Sequence, residues 1–231
     1  MNRRLRIIVI AIPVALVVAL GGAYAVFSLM GDDAPPPPTL AEADAATTKS
    51  TQPSTPTESS SADGSLQPVA GETTYVGYRV HEEFIGLGEK TAVGRTPDVE
   101  GTVTVDGDAI AAADLKADLT TLTSDEDRRD NALRGRGIET DRFPEATFTL
   151  DGDVPLSGEE ETTTGKLTLH GVTKDIEVNV TARANDDGTV DVAGTAPIDF
   201  ADFDIEAPSV GGFVTVDENG TLEFRLHLAA A

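Results

Sequence analysis

The sequence predicts an all-β domain over residues 73–231: an antiparallel barrel or sandwich of about eight strands. Three observations carry this reading. Apolar and polar residues alternate in run after run, tight-turn dipeptides separate the runs, and a long helical repeat is missing from this part of the chain.

In chain order, Thr102-Val103-Thr104-Val105 alternates and runs into Asp106-Gly107, a turn signal. Leu115, Ala117 and Leu119 then alternate with polar residues. Ser124–Arg134 is the one stretch suited to a short helix, with Ser124 as N-cap and acids in its first turn. Arg142-Phe143-Pro144 makes a turn that sets the entry of the next strand, whose apolar face is Ala146, Phe148 and Leu150. Leu167 and Leu169 precede His170-Gly171, and Ile176, Val178, Val180 and Ala182 form the longest ladder. Asp187-Gly188 separates it from Val190 and Val192. Asn219-Gly220 predicts a hairpin leading into Leu222, Phe224, Leu226 and Leu228.

Two segments with different physics precede the domain. Arg3, Arg4 and Arg6 flank an uncharged apolar run, Ile7–Met30, of 24 residues. As a helix it is about 36 Å long, enough to span a bilayer. The positive-inside rule then keeps the arginines cytoplasmic and puts the domain outside, at the plasma membrane. Ala23-Tyr24-Ala25 keeps a second reading open, a signal peptide cleaved near Ala25 and a secreted domain. Residues 31–72 hold seven of the 13 prolines, four of them in Pro35-Pro36-Pro37-Pro38, with many Ser, Thr and Ala. Such a stretch buries too little to offset ordering entropy and is expected to be a disordered linker. A coil of about 40 residues has an r.m.s. reach of ~35 Å.

Composition excludes several classes. Residues 73–231 carry 13 Lys+Arg against 33 Asp+Glu, a net −20 within a chain total of −23, which argues against nucleic acid as a partner. The chain has no Cys, so disulfides, thiol catalysis and Cys-ligated zinc are out. No Gly-x-Ser-x-Gly and no cluster of His with carboxylates marks an enzyme. His81, His170 and His227 are scattered, and Asn185-Asp186-Asp187-Gly188 lacks the full calcium-loop spacing, so neither predicts a metal site.

Three ordered motifs carry a resemblance. Arg129–Arg134 reads R-D-x-x-L-R, Phe143–Phe148 reads F-P-x-A-x-F, and Gly165–Lys174 reads G-x-L-T-L-x-G-V-T-K. Ala201-Asp202-Phe203-Asp204-Ile205 adds a fourth, shorter element. Together they resemble the YceI-like family of lipid-binding proteins, over most of residues 73–231. The resemblance implies an extended, lipocalin-like antiparallel β-barrel with an elongated cavity for a polyisoprenoid or similar amphiphile. It implies export, no established catalytic residue and no cofactor beyond the bound lipid, such as an isoprenoid quinone or a polyprenyl phosphate. The first strand departs from the family pattern: Tyr75–Phe84 stands where S-x-V-x-F-x-V-x-H is usual, and His81 need not match the family's histidine.

Alternation then gives candidate cavity residues: Tyr78, Val80, Val103, Leu119, Leu133, Phe148, Leu167, Val178, Ile198 and Phe203. By residue pattern alone these inward side chains fill a core equally well, which would make a structural or interaction module of the cell envelope. The clustered Arg128, Arg129, Arg134, Arg136 and Arg142 have two readings. Arg129 and Arg134 could hold a lipid head group, or Arg129 and Asp130 could brace the short helix against the barrel.

Overall fold

The computed structural model describes residues 34–40, 64–207 and 213–230. The predicted membrane helix or signal peptide therefore lies outside the described residues. Among those described, no helix is long and apolar enough to cross a membrane.

The strands are β1 (Gly64–Pro68), β2 (Tyr75–Phe84), β3 (Gly88–Thr96), β4 (Val99–Asp106), β5 (Ala109–Asp118) and β6 (Thr123–Ser124). After the helix α1 (Asp127–Gly135) come β7 (Glu145–Leu150), β8 (Val154–Pro155), β9 (Ser157–Leu169) and β10 (Val172–Ala184). The last are β11 (Val190–Asp199), β12 (Val214–Val216) and β13 (Asn219–Ala230). Short 3-10 turns cover Leu119–Thr121 and Phe200–Phe203.

Eight strands run β1-β4-β5-β7-β9-β10-β11-β13 and close when β1 pairs β13, with Leu66 opposite Ala230 and Pro68 opposite Leu228. Closure removes the exposed edges that an open sheet would present. The remaining length of β13 pairs β2, from Thr221 opposite Arg79 to Arg225 opposite Tyr75, and β3 and β6 continue from β2. The domain thus begins at Gly64, not at residue 73. Ser65-Leu66-Gln67 had too little apolar alternation to stand out from a polar linker, yet Leu66 is 3% exposed in the core.

Three turns form as expected. His170 (φ 52) and Gly171 (φ 76) both take the left-handed conformation that a two-residue hairpin between β9 and β10 requires. Gly107 (φ 64) turns β4 into β5, and Gly188 (φ 83) turns β10 into β11. Asn219-Gly220 is not a hairpin turn. β12 and β13 both pair the same edge of β2, at Val216 opposite Glu82 and Thr221 opposite Arg79, so this dipeptide opens β13 within a continuing edge. Ser124 is not the helix N-cap either. It sits in β6, and the carboxylate of Asp130 accepts from its N–H at 3.0 Å and its hydroxyl at 2.7 Å. Glu126 takes the cap position without a side-chain cap bond.

The main core lies inside the ring, with Leu66, Val103, Val105, Val178, Val190 and Leu228 among its buried members. A smaller cluster of Leu167, Ile198, Phe203 and Ile205 lies under the Phe200–Phe203 turn.

Candidate functional site

The barrel interior is not filled. Two cavities of ≈ 110 Å³ and ≈ 130 Å³ lie along it, with Val76, Ala146 and Leu222 as their common wall. Local sequence explains the space. Ala113 and Ala117 on β5 and Ala146 on β7 are small, buried and border the cavities, and Ala117 pairs directly with Ala146. Glycines do the rest by letting rings lie against the wall. The Tyr78 ring covers Gly94, where a Cβ would come 2.8 Å from Tyr78 Cζ. Phe224 covers Gly194, with a Cβ at 2.5 Å from its Cζ, and Phe148 covers Gly165. An aromatic ring flat over a cross-strand glycine stabilises the strand pair and keeps its bulk out of the lumen.

The first cavity is apolar throughout. Val103, Phe148, Leu167 and Val178 line it, together with Phe224 and Leu226. The second has a polar end. Tyr78, Val80, Leu119, Leu133 and Ile198 border it, and so do Glu82 and Arg129. Phe203 borders neither cavity. It is 1% exposed and packed in the smaller core cluster, because the turn after β11 swings it out of the strand's alternation.

At the polar end, Arg129 of α1 makes a two-pronged contact with Glu82 of β2. Its Nε donates to Oε1 at 2.9 Å and its Nη2 to Oε2 at 2.9 Å. Nη1 donates to Asp125 at 2.6 Å and to the Ser124 hydroxyl at 3.2 Å. These bonds hold the guanidinium pKa above its usual value, the Glu82 hydrogen bonds most of all. Arg129 is therefore already engaged, and it fastens the helix to the barrel. Arg134 is exposed, donates to Asn131 at 3.1 Å and does not border either cavity.

Tyr78 differs from them. Its hydroxyl is buried and, among the described residues, has no hydrogen-bond partner. Ser124 lies near enough to act on the phenol but outside hydrogen-bond geometry. Burial pushes the phenol pKa well above its ordinary 10.0, and the nearby charges of Asp130 and Glu82 push the same way against Arg129. The group stays a neutral O–H donor at any physiological pH. An unmet buried donor costs about 1–3 kcal/mol.

Three of the four motif elements meet at one place. Phe143 packs edge-on against His170, with centroids 4.4 Å apart, and the Arg142 guanidinium lies 4.8 Å over Phe143. His170 Nε2 and Glu139 Oε2 are 2.9 Å apart, and His170 Nδ1 lies 3.0 Å from the carbonyl of Phe203. This joins the F-P turn, the G-V-T-K hairpin and the Asp202–Ile205 element, so their co-occurrence in the sequence reflects one packed corner. His227 is elsewhere, 2.7 Å from Asp191. Among the described residues, no group of three or more His, Asp or Glu could hold a metal.

Val76, Leu222 and Phe224 were not among the candidates. The alternation of Leu222, Phe224 and Leu226 was visible and would have found two of them. Val76 was hidden by the unusual first strand.

Comparison with known proteins agrees with this architecture. The YceI-like domain model matches residues 65–228. The chain is 31% identical over 114 residues to UPF0312 protein plu2095 of Photorhabdus laumondii, covering 48% of this chain and 57% of that protein. It is 34% identical over 109 residues to Protein YceI of Shigella flexneri, covering 46% and 54%. The chain thus spans little more than half the length of these relatives. A polyisoprenoid binding domain from Saccharophagus degradans, implicated in plant cell wall breakdown, superposes with a TM-score of 0.56 at 21% identity, covering 72% of this chain and 98% of that one. Burkholderia cenocepacia BcnA superposes at 0.53 with 19% identity, covering 67% and 96%. At these identities the superpositions speak for the fold. The matched span runs from within β1 to within β13, round the whole closed ring, and the chain belongs to the YceI-like domain family.

Proposed function

We propose that the barrel binds a polyisoprenoid or another long-chain amphiphilic lipid, outside the cytoplasm and anchored to the plasma membrane by residues 7–30. The observation that carries the reading is the pair of apolar cavities meeting at Val76, Ala146 and Leu222. Each is smaller than the ~300–1,000 Å³ of an ordinary ligand pocket. A narrow hydrocarbon chain threaded through both fits such a shape better than a compact ligand. Burying about ten carbons contributes ~8 kcal/mol, a micromolar affinity before ordering costs are subtracted. The likeness to the Saccharophagus polyisoprenoid binding domain supports the same class.

Tyr78 refines the head group. Its free O–H suits a neutral acceptor such as a quinone carbonyl. Arg129 is occupied by Glu82 and Asp125, which disfavours a phosphate at that end. Binding, not catalysis, is the role this wall of aliphatic carbons supports. A second reading, a filled envelope module, draws on the modest size of the cavities.

The test is native mass spectrometry of the full chain from a membrane-containing host, followed by lipid extraction. A stoichiometric long-chain adduct supports the carrier. A chain that stays free of lipid after exposure to isoprenoid quinones and polyprenyl phosphates supports the filled module.

A further inference from the structure

The outer face of β2, β3 and β13 is dry where a barrel exterior is ordinarily wet. Glu223 is 0% exposed, Arg225 and Val93 are each 8% and Tyr75 is 9%. All alternate outward from the cavity residues Val76, Tyr78, Leu222 and Phe224.

This face holds a charged platform. Arg95 donates from Nε at 2.9 Å and from Nη2 at 2.7 Å to Glu223 Oε1. Arg79 reaches Glu223 Oε2 from Nε at 3.2 Å and Nη2 at 3.0 Å. Gly77 makes room, since a Cβ there would lie 2.9 Å from Arg95 Cγ. The Arg95 guanidinium also stacks 4.1 Å over the Tyr75 ring. One carboxylate between two guanidiniums leaves an excess of positive charge facing out.

The proline run meets this platform at Pro35. Arg79 Nη2 donates to the carbonyl of Pro35 at 2.6 Å. Pro38 is buried and Leu40 is 7% exposed, while Pro36, Pro37 and Thr39 face solvent. A polyproline stretch has no internal hydrogen bonds, so its carbonyls are free to accept, and it loses little entropy on docking. Grooves with aromatic walls and a polar donor are how such stretches are recognised in general.

We propose that residues 34–40 are an intramolecular strap, which docks on the β2–β3–β13 platform and shortens the tether. Between the strap and β1 the sequence then has 23 residues, 41–63. Only residues 31–33 separate the apolar run from the docked strap. Three residues reach at most ~10 Å, against ~35 Å for the whole linker as a coil. The consequence for distance from a bilayer rests on the proposed anchor, whereas the docking does not.

The absence of cysteine makes the test clean. The full chain carrying Thr39→Cys and Glu177→Cys takes two spin labels, diluted with unlabelled chain. Docking gives a narrow distance distribution by pulsed electron resonance. Replacing Pro35–Pro38 with Gly-Ser broadens it toward a coil of ~28 Å r.m.s. about Gly64. A wild-type distribution as broad as the replacement's overturns the strap, and so does a narrow one that disappears on dilution, which would mean docking on a second copy. In nanodiscs, a fluorophore at Glu177→Cys is quenched by lipid-borne quenchers more strongly in wild type than in the replacement. Equal, nonzero quenching overturns the shortening. No quenching in either chain sinks the anchor and leaves the docking result standing.

Discussion

Ala146→Leu should stabilise the empty barrel and exclude the proposed lipid. Ala146 is 9% exposed and borders both cavities, opposite Ala117. Leucine adds three carbons where the cavities meet. If that space is void, burying them gains ~2 kcal/mol at 0.8 kcal/mol per carbon. For a chain of this size that raises Tm by about 4–8 °C. The same carbons obstruct the passage, so lipid retained through purification should fall at least tenfold. Calorimetry of delipidated protein reads the first effect, and extraction with mass spectrometry reads the second. If the interior is a packed core, the added carbons are overpacking and cost about 1–3 kcal/mol. A lowered Tm with unchanged lipid content would refute the reasoning.

Further outcomes follow from the polar groups. Tyr78→Phe removes an unmet buried donor, so the lipid-free barrel should gain about 1 kcal/mol, while retention of a quinone-like lipid falls and that of a plain hydrocarbon does not. Thermal melts with a competition between the two lipid types read this. Arg129→Ala leaves Glu82 buried without its partner and should cost about 3–5 kcal/mol, with faster amide exchange across α1. Glu82→Gln should cost less, because no bare carboxylate remains. The Asp118 carboxyl is held below its ordinary 3.8, first by the Thr120 hydroxyl and then by the Thr120 N–H. Its contribution is therefore fully present above 3.8 and is lost as pH falls below that through the lower value of the folded state. Asp118→Asn should flatten that part of the acid limb of the Tm–pH curve relative to wild type.

Much of the barrel was legible in the sequence because alternation is local. β4, β5, β7, β10, β11 and the Leu222–Leu228 part of β13 each announce one apolar face, and two adjacent left-handed residues at His170-Gly171 need only their own backbone. The first half of β9 and all of β3 lack that signal. β9 begins as Ser157-Gly158-Glu159-Glu160-Glu161, exposed and without apolar residues, and is a strand only because β10 supplies its partners. β3, Gly88–Thr96, alternates poorly because Gly94 yields its place to the Tyr78 ring. Of the candidate site, the aliphatic walls were legible from the same alternation. The arginine cluster was not, since sequence cannot say that Glu82, 47 positions away, already occupies Arg129.

The sequence by itself determined the strand-rich composition, the main turns, the acidic surface and the motifs that mark the family. Only the tertiary structure decided that β1 closes the ring, that Phe203 leaves the lumen and that small residues on β5 and β7 meet across from Leu222. It also decided that Glu223 lies between Arg79 and Arg95, 144 and 128 residues away. The physical reason is range. Backbone propensity and alternation act over a few residues, whereas a cavity or an ion pair exists only where distant strands are brought side by side.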